Sequence, residues 1–498
     1  MDRILSTMPI QHILIANRGE IACRIQRTAR ALGLKTTAVY HFADRQAPHV
    51  AAADAAVELH AEVPTAAYLD VTQLLAAAQQ TDADAVHPGY GFLAENARFA
   101  AAVEGAGLRF IGPQPNVIEL MGDKLRAREF AIAHGIPVAP SCAQEGSMEA
   151  FVADASALGF PLLIKAAAGG GGKGMSIVHH ADEFAARAEL AASEALRYFA
   201  DGRIYAERYI ERPRHIEVQV LGDGRGKVVH LYERECSIQR RFQKIIEESP
   251  APNLPPALRD EICEAAVKLA SAAQYRNAGT VEFILAPDGT FYFLEMNTRL
   301  QVEHPVTEFV TGIDLVEAQI RIANGEPLWI AQSEVTQSGH AMECRVCAEQ
   351  PAHDFRPATG TVRLLRVPEA PDLRFDSGIR EGLAVSAAFD SMLAKLVCHG
   401  PDREAAITRM RDALAAIVLL GVDSNLDYLA QIFAHPEFIA ARLHTGFVVE
   451  HAASLLPKAL SPDDRAVVLL AAALADDGFR RMAYAIPEPY ASIGHWRN

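Results

Sequence analysis

The sequence predicts an α/β and α+β multidomain chain: a doubly wound N-terminal domain, a central segment carrying a small inserted lid, and a further α+β unit. Three observations predict it. With 498 residues, half of them hydrophobic, the chain is too long for one simple core and can fill two to four. Its opening alternates strand, helix and strand, the pattern of a parallel sheet. Its middle alternates short apolar runs with turn residues around two polar landmarks.

The run at 12–16 reads as a buried parallel strand, and 20–32 as a helix with Ile21, Ile25, Thr28, Ala29 and Leu32 on one face, closed by Gly33. Residues 35–40 are the next strand. This βαβ opening places a doubly wound domain over 1–121. Its first turn, Asn17-Arg18-Gly19-Glu20, lacks G-x-G-x-x-G, which argues against dinucleotide binding. At 85–93 a strand ends in a Gly/Pro-rich loop, the place where open α/β sheets meet ligands. Tyr90 in that loop either lines a site or is an ordinary loop aromatic.

Residues 122–330 form the second domain, with a lid over about 136–206. The lid carries a strand-loop-strand flap, 161–178, with four consecutive glycines at 169–172 followed by Lys173 and Gly174. Backbone N–H groups of such a loop can fold over phosphates without side-chain obstruction, although a flexible hairpin tip has the same composition. A Walker loop is excluded because Gly174 follows Lys173 and a strand comes next. Lys165, on the strand leading in, is either a point charge suited to a phosphate or a snorkelling surface lysine.

The second landmark is Glu295-Met-Asn297-Thr-Arg299-Leu-Gln301-Val-Glu303-His304-Pro305. If extended, it points Glu295, Asn297, Arg299, Gln301 and Glu303 to one side. The preceding residues read as a hairpin, 280–285 and 290–295 about a Pro287-Asp288-Gly289 turn, which sets Glu282 roughly opposite Glu295. Facing carboxylates repel, and the pair makes sense with a hard divalent cation between them and Asn297 as a further oxygen ligand. A solvated polar face explains poorly the apolar residues between them. The basic stretch 233–244, interrupted by Ile238 and Phe242, reads as an anion-binding strand pair.

Residues 331–450 form the third domain, with strands near 341–347 and 392–398 and a helix over 403–418. The remaining 451–498 read as helical to about 474, either a tail or the start of a linker. Lys plus Arg at 47 against Asp plus Glu at 62 gives a formal charge of −15, which argues against a nucleic-acid partner. The absence of a long apolar run or signal peptide predicts no membrane association and a cytoplasmic location. Seven scattered cysteines suit free thiols in a reducing compartment. Cys344 and Cys347, the closest pair, read as two residues of a strand that also carries Arg345.

These residues resemble the biotin carboxylases, which belong to the ATP-grasp enzymes. The matching motifs are Ile-Ala-Asn-Arg-Gly-Glu-Ile (15–21), His-Pro-Gly-Tyr-Gly-Phe-Leu (87–93), Met-Gly-Asp-Lys (121–124) and the glycine flap. They continue with Pro-Arg-His-Ile-Glu-Val-Gln-Val (213–220), Gln-Arg-Arg-Phe-Gln-Lys (239–244), the run 295–305, Glu-Cys-Arg (343–345) and Phe-Asp-Ser-Met (389–392). The resemblance covers about 10–450 and is closest to the biotin-carboxylase module of acyl-CoA carboxylase alpha subunits. It implies an ATP-grasp domain with a mobile lid at 122–330 and a biotin carboxylase C-terminal domain at 331–450.

The resemblance further implies ATP-dependent carboxylation of biotin by bicarbonate through carboxyphosphate. ATP would be held by Lys124, Lys165, Gly171, Gly172, the hinge Glu207, Arg208, Tyr209 and Ile210, and by His215 and Gln239. Mg²⁺ or Mn²⁺ would sit on Glu282, Glu295 and Asn297. Bicarbonate and biotin would meet Lys244, Arg299, Gln301, Val302, Arg345 and Tyr90, with Glu303 as base. The family usually has histidine where Phe242 stands, lysine at Arg208 and tyrosine at Phe389. No Met-Lys pair, the usual biotinyl-lysine site, occurs in the chain. Biotin is therefore expected on a carrier protein or domain, with a carboxyltransferase subunit as a second partner and a homodimer or larger complex as the assembly. Two rival readings are another ATP-grasp ligase forming an acyl-phosphate on a different acceptor, and a non-catalytic nucleotide-binding regulator.

Overall fold

The computed structural model describes residues 9–167, 175–456 and 461–475, which divide after Leu455 into two compact units. In the first unit β1 (His12–Ile15), β2 (Lys35–His41), β3 (Ala55–Leu59), β4 (Ala85–His87) and β5 (Arg109–Phe110) form a parallel sheet in the order β3-β2-β1-β4-β5. Ile13 and Ile15 pack with Ile21 and Ile25 of α1 (Gly19–Ala31), while Leu14 packs with Leu74 and Phe99 on the other face. Burial on both faces is why β1 is apolar without alternation.

The strand order reverses between β1 and β4, so the loops at their carboxyl ends border a crevice. Asn17 fastens those loops: its Nδ2 donates to the carbonyls of Pro88 and Tyr90, each at 2.7 Å. Gly89 is required beneath it. Its φ is +64°, and a Cβ there would lie 2.9 Å from Asn17 Nδ2.

Helix α2 (Lys124–Ala133) begins where Asp123 accepts from the backbone N–H of Leu125 and Arg126, an N-cap that fixes Lys124 in the first turn. The lid follows. Its sheet has the order β6-β9-β7-β8, built from β6 (Ser141–Ala143), β7 (Leu162–Ala166), β8 (Ser176–Val178) and β9 (Ile204–Arg208). Phe151 of α3 (Met148–Leu158) and Phe184 of α4 (Ala181–Phe199) pack together over it. The glycine run, with Gly171 and Gly172, lies outside the described residues.

An eight-stranded antiparallel sheet forms the centre, and α5 (Pro256–Ala272) packs against it. The sheet contains β10 (Arg214–Asp223), β11 (Val228–Arg240), β12 (Gln243–Ser249), β13 (Arg276–Leu285), β14 (Phe291–Asn297) and β15 (His340–Cys347), then β16 (Leu373–Ser377) and β17 (Met392–Gly400). The order is β14-β13-β10-β11-β12-β15-β17-β16. Since β12 pairs with β15, one sheet runs across residue 330 and joins the central and C-terminal segments.

The run 295–303 is not extended throughout. Strand β14 stops at Asn297, and α6 (His304–Thr311) starts after a turn. Pro305 in the first turn has no N–H to give a ladder and has a backbone angle suited to helix entry. Helix α7 (Leu315–Ala323) then packs against β13 and α1, and α8 (Arg403–Ala416) covers β15 and β17. The second unit contains α9 (Pro462–Ala475). Among the described residues no helix is long and apolar enough to cross a membrane.

Candidate active site

A cavity of about 820 Å³ lies where the β1 and β4 loops, the lid and the central sheet meet. Lys124, Lys165, Glu207, Arg208, Tyr209, Ile210, His215 and Gln239 line it, as do Lys244, Glu282, Glu295, Asn297, Arg299, Gln301, Val302, Glu303, Arg345 and Tyr90. Every sequence-predicted site residue within the described segments thus borders one space.

The β13–β14 ladder pairs Glu282 with Glu295, as the hairpin roughly predicts, and Thr280 with Asn297, with a bulge between Glu282 and Phe283 shifting the register by one. Glu282 is the better satisfied acid. One oxygen accepts from Lys244 Nζ at 2.7 Å, Asn297 Nδ2 at 2.9 Å and Gln301 Nε2 at 3.1 Å. The other lies 2.8 Å from His215 Nε2. Gln239 Nε2 lies 2.8 Å from His215 Nδ1, and donation there leaves the ring proton on the nitrogen facing Glu282. Burial alone would raise the Glu282 carboxyl, but Lys244 and His215 outweigh it and hold it well below its usual value.

Glu295 pairs instead with Lys124. Burial raises its pKa, but Lys124 more than offsets this and the net shift is downward. The donor set of two facing carboxylates and the Asn297 amide is oxygen only, which fits a hard divalent cation. Two tighter groups, His215 with Glu217 and Glu282, and Glu217 with Cys236 and Glu303, have their ligand atoms within 4.8 Å of one another. Both surround the ammonium of Lys244, whose charge already balances them.

Lys244 is the hub. Its Nζ contacts Glu217, and lies 2.7 Å from both Glu282 and Glu303. Burial disfavours its charge, yet the three acids hold its pKa well above normal. Glu303, almost fully buried, also accepts from Arg345 at 2.9 Å. Burial pushes the Glu303 carboxyl up, but Lys244, Arg345 and Arg234 drive it far below the carboxylate range, so it is a charged acceptor at neutral pH.

Arg345 also donates to Glu247 on the neighbouring strand, with Nε at 2.7 Å. Burial raises Glu247 to about 7 despite Arg345, and Glu303 adds to the rise. Arg299 donates to Glu95 at 2.7 Å, Gln301 at 2.9 Å and Asn297 at 3.0 Å. These contacts hold the run together after it leaves the strand. They replace the pleat that the sequence predicts with side-chain hydrogen bonds.

On the lid side, Lys165 pairs with Glu207, which also accepts from Arg128 at 3.1 Å. The hinge is fixed by its backbone: Arg208 N donates to Pro140 O at 2.9 Å and Tyr209 N to Pro161 O at 3.0 Å. The Arg208 side chain points to the surface and reaches Leu158 O. Phe242, half exposed at the β11–β12 turn, borders the cavity without a polar group to offer.

The basic stretch 233–244 does not converge on one anion site. Arg234 is fully buried against Glu217 and Gln219, Arg240 pairs with Glu349, and exposed Arg241 pairs with Asp354. Strand alternation separates them, leaving Lys244 on the acid cluster. Sequence reasoning missed Glu217, Glu247 and Glu95. For Glu217 a signal existed, because His215, Glu217 and Gln219 alternate with apolar residues along β10.

The descriptions "Biotin carboxylase, N-terminal domain", "Carbamoyl-phosphate synthase L chain, ATP binding domain" and "Biotin carboxylase C-terminal domain" match residues 9–118, 123–331 and 343–450. The biotin carboxylase of Nostoc sp. is 46% identical over 89% of this chain and 99% of its own length. Mitochondrial methylcrotonoyl-CoA carboxylase subunit alpha is 42% identical in Dictyostelium discoideum and 47% in Arabidopsis thaliana, covering all and 91% of this chain. The chain spans 72% and 62% of those two proteins.

Among solved structures, the biotin carboxylase–β,γ-ATP complex of Campylobacter jejuni superposes with a TM-score of 0.87 at 41% identity, covering 89% of this chain and 99% of that one. The Hydrogenobacter thermophilus 2-oxoglutarate carboxylase biotin carboxylase domain dimer, with MgADP, ADP and bicarbonate, gives 0.88 at 41% identity over 91% and 100%. On this sequence, fold and site, the chain belongs to the biotin carboxylase family of ATP-grasp ligases.

Proposed function

We propose that this chain catalyses the ATP-dependent carboxylation of carrier-bound biotin by bicarbonate, the first half-reaction of a biotin-dependent acyl-CoA carboxylase. One observation carries the reading: Lys244 Nζ lies 2.7 Å from Glu282 on the hairpin and equally close to Glu303. A single cation thus joins the phosphate-binding side of the cavity to the side holding a buried base.

Lys124 and Lys165 meet the phosphates of ATP, and Gly171 and Gly172 belong to the same ATP-binding set. The hinge 207–210, His215 and Gln239 hold the adenosine. Glu282, Glu295 and Asn297 hold Mg²⁺ or Mn²⁺, which supplies neutralising charge to phosphate oxygens. Lys244, Arg299, Gln301, the Val302 backbone and Arg345 cage the bicarbonate anion. Glu303 removes its proton, and the resulting oxyanion attacks the γ-phosphorus to give carboxyphosphate and ADP.

Carboxyphosphate then breaks down to CO₂ and phosphate within the closed site. The phosphate takes the ureido N1 proton of biotin, Arg345 and Arg299 stabilise the enolate, and the nitrogen attacks CO₂. Tyr90 forms a wall of the biotin subsite. The carrier, the carboxyltransferase, a homodimeric or larger assembly and a cytoplasmic location belong to the same proposal. The carrier is motivated by the missing Met-Lys pair, and the location by seven unpaired cysteines that suit a reducing compartment.

The test is ATP hydrolysis by the intact chain. Hydrolysis should require bicarbonate and rise on addition of free biotin. Hydrolysis indifferent to both would favour an ATP-grasp ligase acting on another acceptor.

A further inference from the structure

We propose that Lys395 and Glu20 form a clamp that sets Tyr90 and the Val302 backbone against each other as opposing walls of the biotin subsite. The clamp rests on the biotin-carboxylation reading. Lys395 stands on β17, with no exposed surface. Its Nζ donates to Val302 O at 2.7 Å, lies 3.4 Å from Glu20 Oε2, and sits 6.0 Å from the centre of the Tyr90 ring. The other Glu20 oxygen accepts the Tyr90 hydroxyl.

These few atoms tie the first turn of α1, the loop after β4, the 301–303 turn and a C-terminal strand together. The approach is close. A Cβ on Gly378, just past β16, would lie 2.8 Å from the Glu20 nitrogen. A fully buried ammonium is costly unless paired, so an apolar side chain would serve better if filling space were the only task. What the ammonium adds is a grip on one carbonyl and one carboxylate. Both grips lead to groups that line the cavity. Lys395 and Glu20 are therefore positioning residues, acting through Val302 and Tyr90.

The clamp is sensitive to protonation of Glu20. That carboxyl faces Lys395 from β17, Asp376 and Arg374 from β16, Tyr90 from the β4 loop and Cys23 on its own helix. Glu343 of β15 faces Lys395 in turn. Burial raises Glu20 to about 7, Lys395 opposes the rise and Asp376 adds to it. Below that pH Glu20 becomes neutral and its ion pair with Lys395 is lost, Asp376 remaining as a counter-charge, which loosens the grip on Tyr90.

The experiment measures the KM for free biotin in biotin-stimulated ATP turnover by the intact chain, on both sides of pH 7, with nucleotide affinity measured on the same samples to report folding. In the unaltered protein KM should rise as pH falls through about 7. Glu20→Gln mimics the protonated acid, so its KM should lie about tenfold above the alkaline value and lose the part of the transition that Glu20 supplies, leaving only the contribution of Glu247 through Arg345. Lys395→Met should raise KM similarly, and Lys395→Arg should restore part of the loss.

A transition in Glu20→Gln as large as in the unaltered protein, or an unchanged KM in Lys395→Met, overturns the clamp while leaving biotin carboxylation standing. If Glu20→Gln fails to bind nucleotide, Tyr90→Phe, which removes only the hydroxyl, must raise KM, and an unchanged value overturns the clamp. Absence of any biotin stimulation in the unaltered protein removes the biotin reading itself and the clamp with it.

Discussion

Glu282 and Glu295 are direct partners across the β13–β14 ladder, yet their carboxylates are held by different lysines, Lys244 at 2.7 Å from Glu282 and Lys124 on Glu295. The pair is thus charge-compensated from two sides, with both acids kept ionised. Glu295→Gln keeps the shape and one oxygen but removes the charge. The Mg²⁺ concentration giving half-maximal ATP turnover should rise at least about tenfold, since a neutral amide is a poorer ligand for a hard cation. A titration curve that coincides with the unaltered protein's would remove Glu295 from the metal set.

Removing Lys244 should cost stability as well as activity. Lys244→Met leaves Glu217, Glu282 and Glu303 buried without their shared cation, a change worth about 3–5 kcal/mol at neutral pH. Glu282 and Glu303 lie below their unfolded values in the intact protein, so their stabilisation is complete above about 4.5 and is lost as pH falls through the folded values. In the variant these acids can take up protons earlier. Urea unfolding should therefore show a larger deficit at pH 7 than at about pH 5, and an equal deficit at both would contradict the ion-pair account.

Arg345→Ala separates binding from chemistry. Arg345 contacts Glu303 and Glu247 and none of the residues assigned to phosphate. Nucleotide affinity should survive while biotin carboxylation falls by orders of magnitude. An unaffected carboxylation rate would remove Arg345 from the mechanism.

Phe242→His restores a ring N–H at the half-exposed β11–β12 turn on the cavity edge. The KM for ATP should fall severalfold with kcat little changed, the pattern of a gain in uniform binding. A change in kcat alone would mean that the ring acts on the chemistry instead.

Much of this site was legible because its residues are close in sequence. The turn Pro287-Asp288-Gly289 brings Glu282 roughly opposite Glu295, and a bulge between Glu282 and Phe283, which the sequence did not show, completes the pairing. The 87–93 loop was legible as a strand end, the usual place for ligands in a doubly wound sheet. The extended reading of 295–303 failed after Asn297 because Pro305 starts a helix, and side-chain bonds from Arg299 and Gln301 now do the aligning. Glu247, Glu95, Glu20 and Lys395 were not legible, since each acts through a partner brought near only by the tertiary fold. Arg234 illustrates the reverse error. Its place in a basic stretch suggested an anion site, whereas strand alternation turns it inward onto Glu217.

The central claim is that the cage around Glu303 delivers bicarbonate to the γ-phosphoryl group as a nucleophile. It is tested most directly by turning over ATP with heavy-oxygen-labelled bicarbonate and weighing the inorganic phosphate released. Attack by bicarbonate leaves one of its oxygens on phosphorus, so each phosphate formed with biotin present should carry one labelled oxygen. Unlabelled phosphate from ongoing ATP turnover would show that water, not bicarbonate, reaches phosphorus, and would contradict the account.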